Sequence, residues 1–250
     1  MSLRSQISKV RCKILCSFYK RSVVLGDRGP IITFSFDDCP RSALTTGRDI
    51  IERFGGRATY YVSMGLMGTF NNLGEQFDSA GLDSLAERGH EVASHTFSHV
   101  SARRTPFAEF VRDVDYCEKA IRDSLAFGPS NNFAYPYGEA TLSVKRKLGP
   151  QMKSCRGTCG GLNGPDVDLN LLRANSLYGG IDQVEAAKLL ILENEKRKSW
   201  LIFYTHDVAK NPSPFGCTPA LLEAVVSFAV DRGARMATVA EVIAELGNIA

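Results

Sequence analysis

Histidine is scarce in this 250-residue sequence, with only four, and tryptophan occurs once. No apolar run approaches the roughly eighteen residues of a membrane helix, which excludes a membrane span. A net charge of +3 is too small to point to nucleic acid as a partner. The seven cysteines include no Cys-x-x-Cys pair and no even framework, so free thiols in a reducing compartment are expected. Cys155 and Cys159, in a Gly-rich stretch, do not have the spacing of a metal or redox pair. Acid is also missing at the start of the chain. Arg4, Lys9, Arg11, Lys13, Lys20 and Arg21 all precede the first acidic residue, Asp27. Residues 1–28 therefore read as a basic, solvated N-terminal arm or helix. Its apolar pieces, Ile14-Leu15 and Val23-Val24-Leu25, are too interrupted for a secretory signal. The expected address is accordingly cytoplasmic.

With 44% hydrophobic and 23% charged residues, the chain has the composition of a globular protein. β-rich runs appear at Pro30 to Phe36, Arg57 to Ser63, His90 to Ser94, Asn132 to Tyr135 and Trp200 to Tyr204. Weaker strands are predicted at Met152 to Cys155, Leu172 to Leu177 and Ala234 to Ala237. Helical spacing falls between them: Leu44 to Phe54, Asp78 to Arg88, Thr105 to Leu125, Thr141 to Leu148, Asp182 to Lys198, Thr218 to Arg232 and Val239 to Leu246. Strict alternation of this kind predicts parallel β/α units. The expected architecture is one α/β domain over 1–250, a single distorted (β/α) barrel of about seven strands.

The polar residues of interest keep one phase. Asp37 and Asp38 follow the first strand, His95 and His99 the third, Pro136 and Tyr137 the fourth, and His206 the strand from Trp200. In a β/α barrel these positions converge on one face. A His-x-x-x-His spacing suits one ion if the segment is a helical turn. Pro40 ends the first strand, so both acids can reach one cavity although neighbours in a strand face opposite ways. Two imidazoles and one carboxylate leave open positions on a metal, most simply Zn2+, with Co2+ or Fe2+ also suited. The spare carboxylate can serve as a base. An amide substrate also needs an acid for its leaving amine, and His206 is the candidate. His90 sits at the opposite end of its strand and belongs to the far face.

Phe36-Asp37-Asp38, Ser94-His95-Thr96-Phe97-Ser98-His99, Tyr135-Pro136-Tyr137-Gly138 and Phe203-Tyr204-Thr205-His206 resemble, in order, motifs of the polysaccharide deacetylase family (NodB homology, carbohydrate esterase family 4). The resemblance implies a metal-dependent hydrolase that removes N-acetyl groups from a glycan or oligosaccharide, a metal-bound water attacking the amide carbonyl. Carried over by position, it implies Asp37 as base and Asp38, His95 and His99 as metal ligands. It implies His206 as acid, the Tyr137 N–H as oxyanion donor, and Pro136 with Tyr137 as substrate contacts. Three positions depart from the family pattern. Cys39 replaces a usual Gly, Ala134 replaces an Arg that would orient the base, and no Asp-x-x-Asp-Trp motif is present, Asp166 and Asp168 being the nearest acids. Arg156 or Arg173 could supply the missing guanidinium from another loop. The resemblance leaves two alternatives: a same-scaffold amidohydrolase acting on a non-glycan amide or ureide, and a catalytically impaired protein that only binds glycan or metal. Glycan identity and oligomeric state are not legible.

Overall fold

The apolar run after Pro30 forms the central strand β1 (Ile31–Asp37), buried along its whole length. A strand covered on both faces has no use for alternating polarity, which is why it reads as a near-continuous apolar run. In the computed structural model, which describes residues 3–125, 128 and 130–247, seven further strands join it. These are β2 (Thr59–Val62), β3 (Glu91–Ser94), β4 (Asn132–Ala134), β5 (Ser154–Arg156), β6 (Asn175–Ser176), β7 (Trp200–Thr205) and β8 (Arg235–Met236). The order across the sheet is β6-β7-β1-β2-β3-β4-β5, every neighbouring pair parallel. β8 pairs with Ile31 and Ile32 at the start of β1, while β2 pairs with its end from Ser35 onward. A parallel bridge from Arg156 to Leu172 draws the two outer strands toward each other. The expected distorted barrel is thus a curled, parallel half-barrel sheet.

Helices occupy the connections: α1 (Leu3–Ser17), α2 (Arg48–Arg53), α3 (Ser79–Glu87), α4 (Phe107–Ser124), α5 (Leu142–Leu148), α6 (Val184–Arg197), α7 (Pro219–Asp231) and α8 (Val239–Gly247). Several start on side-chain caps that satisfy orphan N–H groups. Asp78 accepts from Gly81 N, Thr141 from Val144 N, and Thr218 from Leu221 N with Pro219 at the first turn. The helix expected from Leu44 begins instead as a wider π-turn, Ala43–Gly47. There the Phe36 ring lies so close that a Cβ on Gly47 would meet it at 2.9 Å. The strand expected at Met152 to Cys155 is displaced to Ser154–Arg156, and that at Leu172 to Leu177 shortens to Asn175–Ser176.

The basic N-terminal segment is a helix docked along one side, while Val10, Ile14 and Phe18 stay exposed. Cys12, Leu15 and Cys16 of α1 pack against a core cluster that includes Phe133, Tyr135, Val144 and Leu148. The buried Lys145 ammonium donates to the carbonyls of Leu15 (2.8 Å) and Phe18 (2.9 Å) and to Asp168 Oδ2 (2.7 Å). These contacts satisfy all three of its donors. Cys12 forms a disulfide with Cys159, 147 residues away, which corrects the expectation of free thiols. Cys16, Cys39, Cys117, Cys155 and Cys217 are free. The cytoplasmic expectation loses the support it drew from unpaired cysteines. Among the described residues, no helix is long and apolar enough to cross a membrane.

Candidate metal centre and active site

At the carboxyl end of β1 the backbone leaves the strand abruptly. Asp38 and Cys39 both take left-handed conformations, with φ of 60° and 58°. This break lets adjacent carboxylates share one cavity. Thr96 (φ 62°), His99 (φ 51°) and Tyr137 (φ 60°) are held in the same region. Five of the chain's eight described non-glycine residues with positive φ therefore surround one site, and such strain, about 1–3 kcal/mol per residue, persists only where the surroundings enforce it. The φ of Cys39 lies in the region that glycine adopts at least cost, in keeping with the Gly that the resemblance implies at this position. Its buried thiol points to the carbonyls of Tyr61 and Phe36, and burial pushes its pKa well up, so it acts as a small filler.

The segment carrying His95 and His99 is not the helical turn expected from the spacing. It is a bent loop, fixed by Phe97 N donating to Asp113 O, Ser98 N to Asp113 Oδ1, and Gly65 N to Phe97 O. The rings nonetheless converge, their centroids 5.1 Å apart. Ligand atoms of Asp38, His95 and His99 all lie within 4.8 Å of one another. His99 Nε2 is 3.1 Å and His95 Nε2 3.7 Å from Asp38 Oδ1. That oxygen is buried and accepts no hydrogen bond.

Electrostatics favour a cation here. His95 Nδ1 lies 2.8 Å from Ala134 O, so it must carry the proton and donate, leaving Nε2 with a free lone pair. Burial holds the His95 imidazole neutral, lowering its pKa to about 3, and lowers that of His99. Burial, reinforced by the neighbouring Asp37 charge, raises Asp38 to about 6. An uncompensated buried carboxylate facing two neutral imidazoles is a donor set that a divalent cation satisfies, and the residues present fit one.

Asp37 is set up differently. Burial alone would raise its pKa, but the Arg156 guanidinium beside it outweighs that and holds it below the usual carboxylate range. Arg156, fully buried at the end of β5, donates from Nη2 to Asp37 Oδ1. Its guanidinium lies between the rings of Tyr61 (4.8 Å) and Tyr204 (5.1 Å). Ala134 and Arg156 are register partners in the β4–β5 pair. The guanidinium that the resemblance would place at position 134 thus has a counterpart on the adjacent strand, at the same level of the sheet. Arg173 takes no part; its Nη1 donates to Gly160 O.

Asp37, Asp38, His95, His99, Tyr137 and His206 line one cavity of about 520 Å³. His206 Nδ1 lies 3.1 Å from Phe215 O and must donate to it, which leaves Nε2 as the available nitrogen. Asp166 and Asp168, the nearest acids to a fourth motif, do not reach His206. Both lie in the ribbon paired with Ser22–Val24, and Asp168 bonds Lys145. Pro136 is buried beneath the cavity wall rather than lining it, and starts the tight turn that presents Tyr137. Gly138 completes that turn, since a Cβ there would meet Thr158 Oγ1 at 1.9 Å. Tyr137, at a left-handed φ, lies inside this tight turn, which is closed by Gly138 N donating to Tyr135 O and Glu139 N to Pro136 O. His90 is remote, accepting from Ala58 N and facing Glu52. Tyr178 and Tyr204 are, from the sequence, aromatics that could stack on a sugar ring but are not singled out from core residues; both line the cavity beside His206. An aromatic residue near a strand end carries no mark distinguishing wall from core.

A family profile described as polysaccharide deacetylase matches residues 26–152. Over 121 residues the chain is 28% identical to the peptidoglycan-N-acetylglucosamine deacetylase PgdA of Listeria monocytogenes. That match takes in 47% of this chain but only 24% of the relative. Among solved structures, the chain is similar to a family 4 acetyl xylan esterase from Clostridium thermocellum in complex with a cobalt ion. The TM-score is 0.57 at 18% identity, covering 87% of this chain and 92% of that one. It is also similar to the chitin deacetylase of the fungal pathogen Colletotrichum lindemuthianum, with TM-score 0.54 at 16% identity, covering 85% and 86%. At such identities the structural likeness speaks for the fold alone. With the profile spanning half of the sequence and taking in Asp37, Asp38, His95, His99 and Tyr137, the chain belongs to the polysaccharide deacetylase family.

Proposed function

We propose that this protein is a metal-dependent hydrolase that removes N-acetyl groups from a glycan or oligosaccharide, acting as one catalytic domain with the basic segment 1–28 on its flank. The observation that carries the reading is the convergence of the Asp38, His95 and His99 donors beside a second carboxylate ion-paired to a buried arginine. Asp38, His95 and His99 would hold one divalent cation, most simply Zn2+, with Co2+ or Fe2+ as alternatives. A cation bound there lowers the pKa of water and polarises the acyl oxygen. Asp37, kept ionised by Arg156, takes the proton from the attacking water. The Tyr137 N–H stabilises the oxyanion, and His206, acting as the imidazolium, gives its Nε2 proton to the leaving amine and keeps the Nδ1 proton on Phe215 O. Pro136 sets the position of Tyr137 against the substrate.

The known relatives act, by name, on peptidoglycan, xylan and chitin, so the fold does not select a glycan. An acetate-release assay on N-acetylated oligosaccharides, run with Zn2+, Co2+ or Fe2+ and with chelator, tests the reading. Metal-dependent acetate release is expected. Sugar binding without release under any metal contradicts it, and release from small ureides instead transfers the chemistry to a non-glycan substrate.

Arg156 gives a second expectation. In Arg156→Ala, Asp37 keeps its burial but loses the first of the charges that lower its pKa. It then stays protonated to higher pH, so the acidic limb of the pH–rate profile moves upward. At neutral pH, kcat/KM falls by about a hundredfold, in the range of losing a positioned base. Unchanged turnover and an unmoved limb would remove Arg156 from this role.

A further inference from the structure

A second cavity, of about 680 Å³, adjoins the first and shares Tyr137, Gly138 and Thr158 with it. Its opposite wall is α1, through Arg11, Ile14 and Leu15. This helix lies outside the family-matched residues 26–152. It is nevertheless fixed to the catalytic loops at three points. The Cys12–Cys159 disulfide ties it to the segment that leaves β5 just after Arg156, Lys145 holds the carbonyls that end it, and Leu15 packs into the core. A helix held this firmly beside the cavity mouth is a built wall.

The lining suits a sugar chain. Tyr137 (56% exposed) and Ile14 (45% exposed) offer apolar surface to sugar-ring faces. Arg11 and Arg103 offer donors to hydroxyl and carbonyl oxygens, Arg103 being steadied by Glu139 at 3.1 Å. Glu139 in turn takes hydrogen bonds from Ser101 and, at 3.4 Å, from Arg104, whose guanidinium lies 5.0 Å over the Tyr137 ring. Because the two cavities meet at Tyr137, a glycan whose reacting sugar occupies the first has its next units directed along the second. We propose that the groove between α1 and the Tyr137–Thr141 loop is a binding subsite for the units of an extended N-acetylated glycan beyond the reacting sugar. It follows that α1 sets a preference for longer chains. This rests on the deacetylase reading for the identity of the ligand.

The test uses the full chain carrying Arg11→Ala with Ile14→Ser, folding being checked by an unchanged thermal melt. A Cys12→Ser, Cys159→Ser pair, which frees the same wall by another route, is measured in parallel. Binding of hexa-N-acetylchitohexaose and of di-N-acetylchitobiose is measured by calorimetry, independently of turnover. The hexamer is expected to bind about tenfold more weakly to both variants, with dimer binding unchanged within about twofold. Where acetate is released, only the hexamer KM rises. Equal binding of the hexamer by variants and parent overturns the subsite, as does equal weakening of dimer and hexamer. Length-dependent binding without acetate release retains the subsite while contradicting the deacetylase reading. No hexamer binding to the parent contradicts the subsite.

Discussion

Asp37→Asn is expected to retain one divalent cation per chain while kcat falls by about a thousandfold, within the range for losing a general base. Asparagine is nearly isosteric and can still accept from the Arg156 guanidinium, so the cavity keeps its shape. What disappears is the proton acceptor. In the parent, burial works against ionisation of Asp37 and Arg156 overcomes it. The amide has no comparable basicity at any pH in the working range. Metal analysis alongside steady-state kinetics checks this, and an Asp37→Asn enzyme at parental speed would take the base role away from Asp37.

His95→Ala is expected to do the converse. It removes one of three donors from a site whose remaining carboxylate is buried with an unpartnered oxygen. Losing a residue that merely supports a metal ligand typically weakens binding 10- to 100-fold, so losing a ligand lowers affinity by more than about a hundredfold. The purified variant should carry no stoichiometric cation, and its residual activity should equal that of chelator-treated parent. His95 also donates to Ala134 O on β4, so the thermal melt is measured to separate metal loss from a local structural change. A variant that still binds one cation per chain at parental affinity would exclude His95 as a ligand. Together the two substitutions divide the site: one loses the chemistry and keeps the ion, the other loses the ion.

The parts of this site that could be read from the chain are those tied to strand ends. Burial of β1 writes itself as an apolar run, and Pro40 marks where the run stops, so the positions of Asp37 and Asp38 are legible. The same logic places His95, His99 and His206, because parallel β/α units put every such loop on one face. Local conformation was harder. The four-residue spacing of His95 and His99 suggests a helical turn, yet Asp113 on α4 captures the loop backbone and holds it bent. Arg156 was one of two candidates to replace the arginine absent at 134. Only the β4–β5 register shows why it, and not Arg173, reaches Asp37. Least legible was α1. Its charges suggest a solvated arm, whereas its docking depends on partners such as Lys145 and Cys159, more than a hundred positions away, and no local pattern announces them.

In the proposed site Asp38, His95 and His99 jointly bind a single cation, with Asp37 left uncoordinated beside it. A crystal of the chain loaded with Zn2+ or Co2+, with data collected across the metal's absorption edge, addresses it directly. One anomalous peak is expected, within about 2.0–2.2 Å of one oxygen of Asp38 and one nitrogen of each histidine. A peak seated elsewhere, or none at this position in protein whose acetate release is indifferent to chelators, would contradict it.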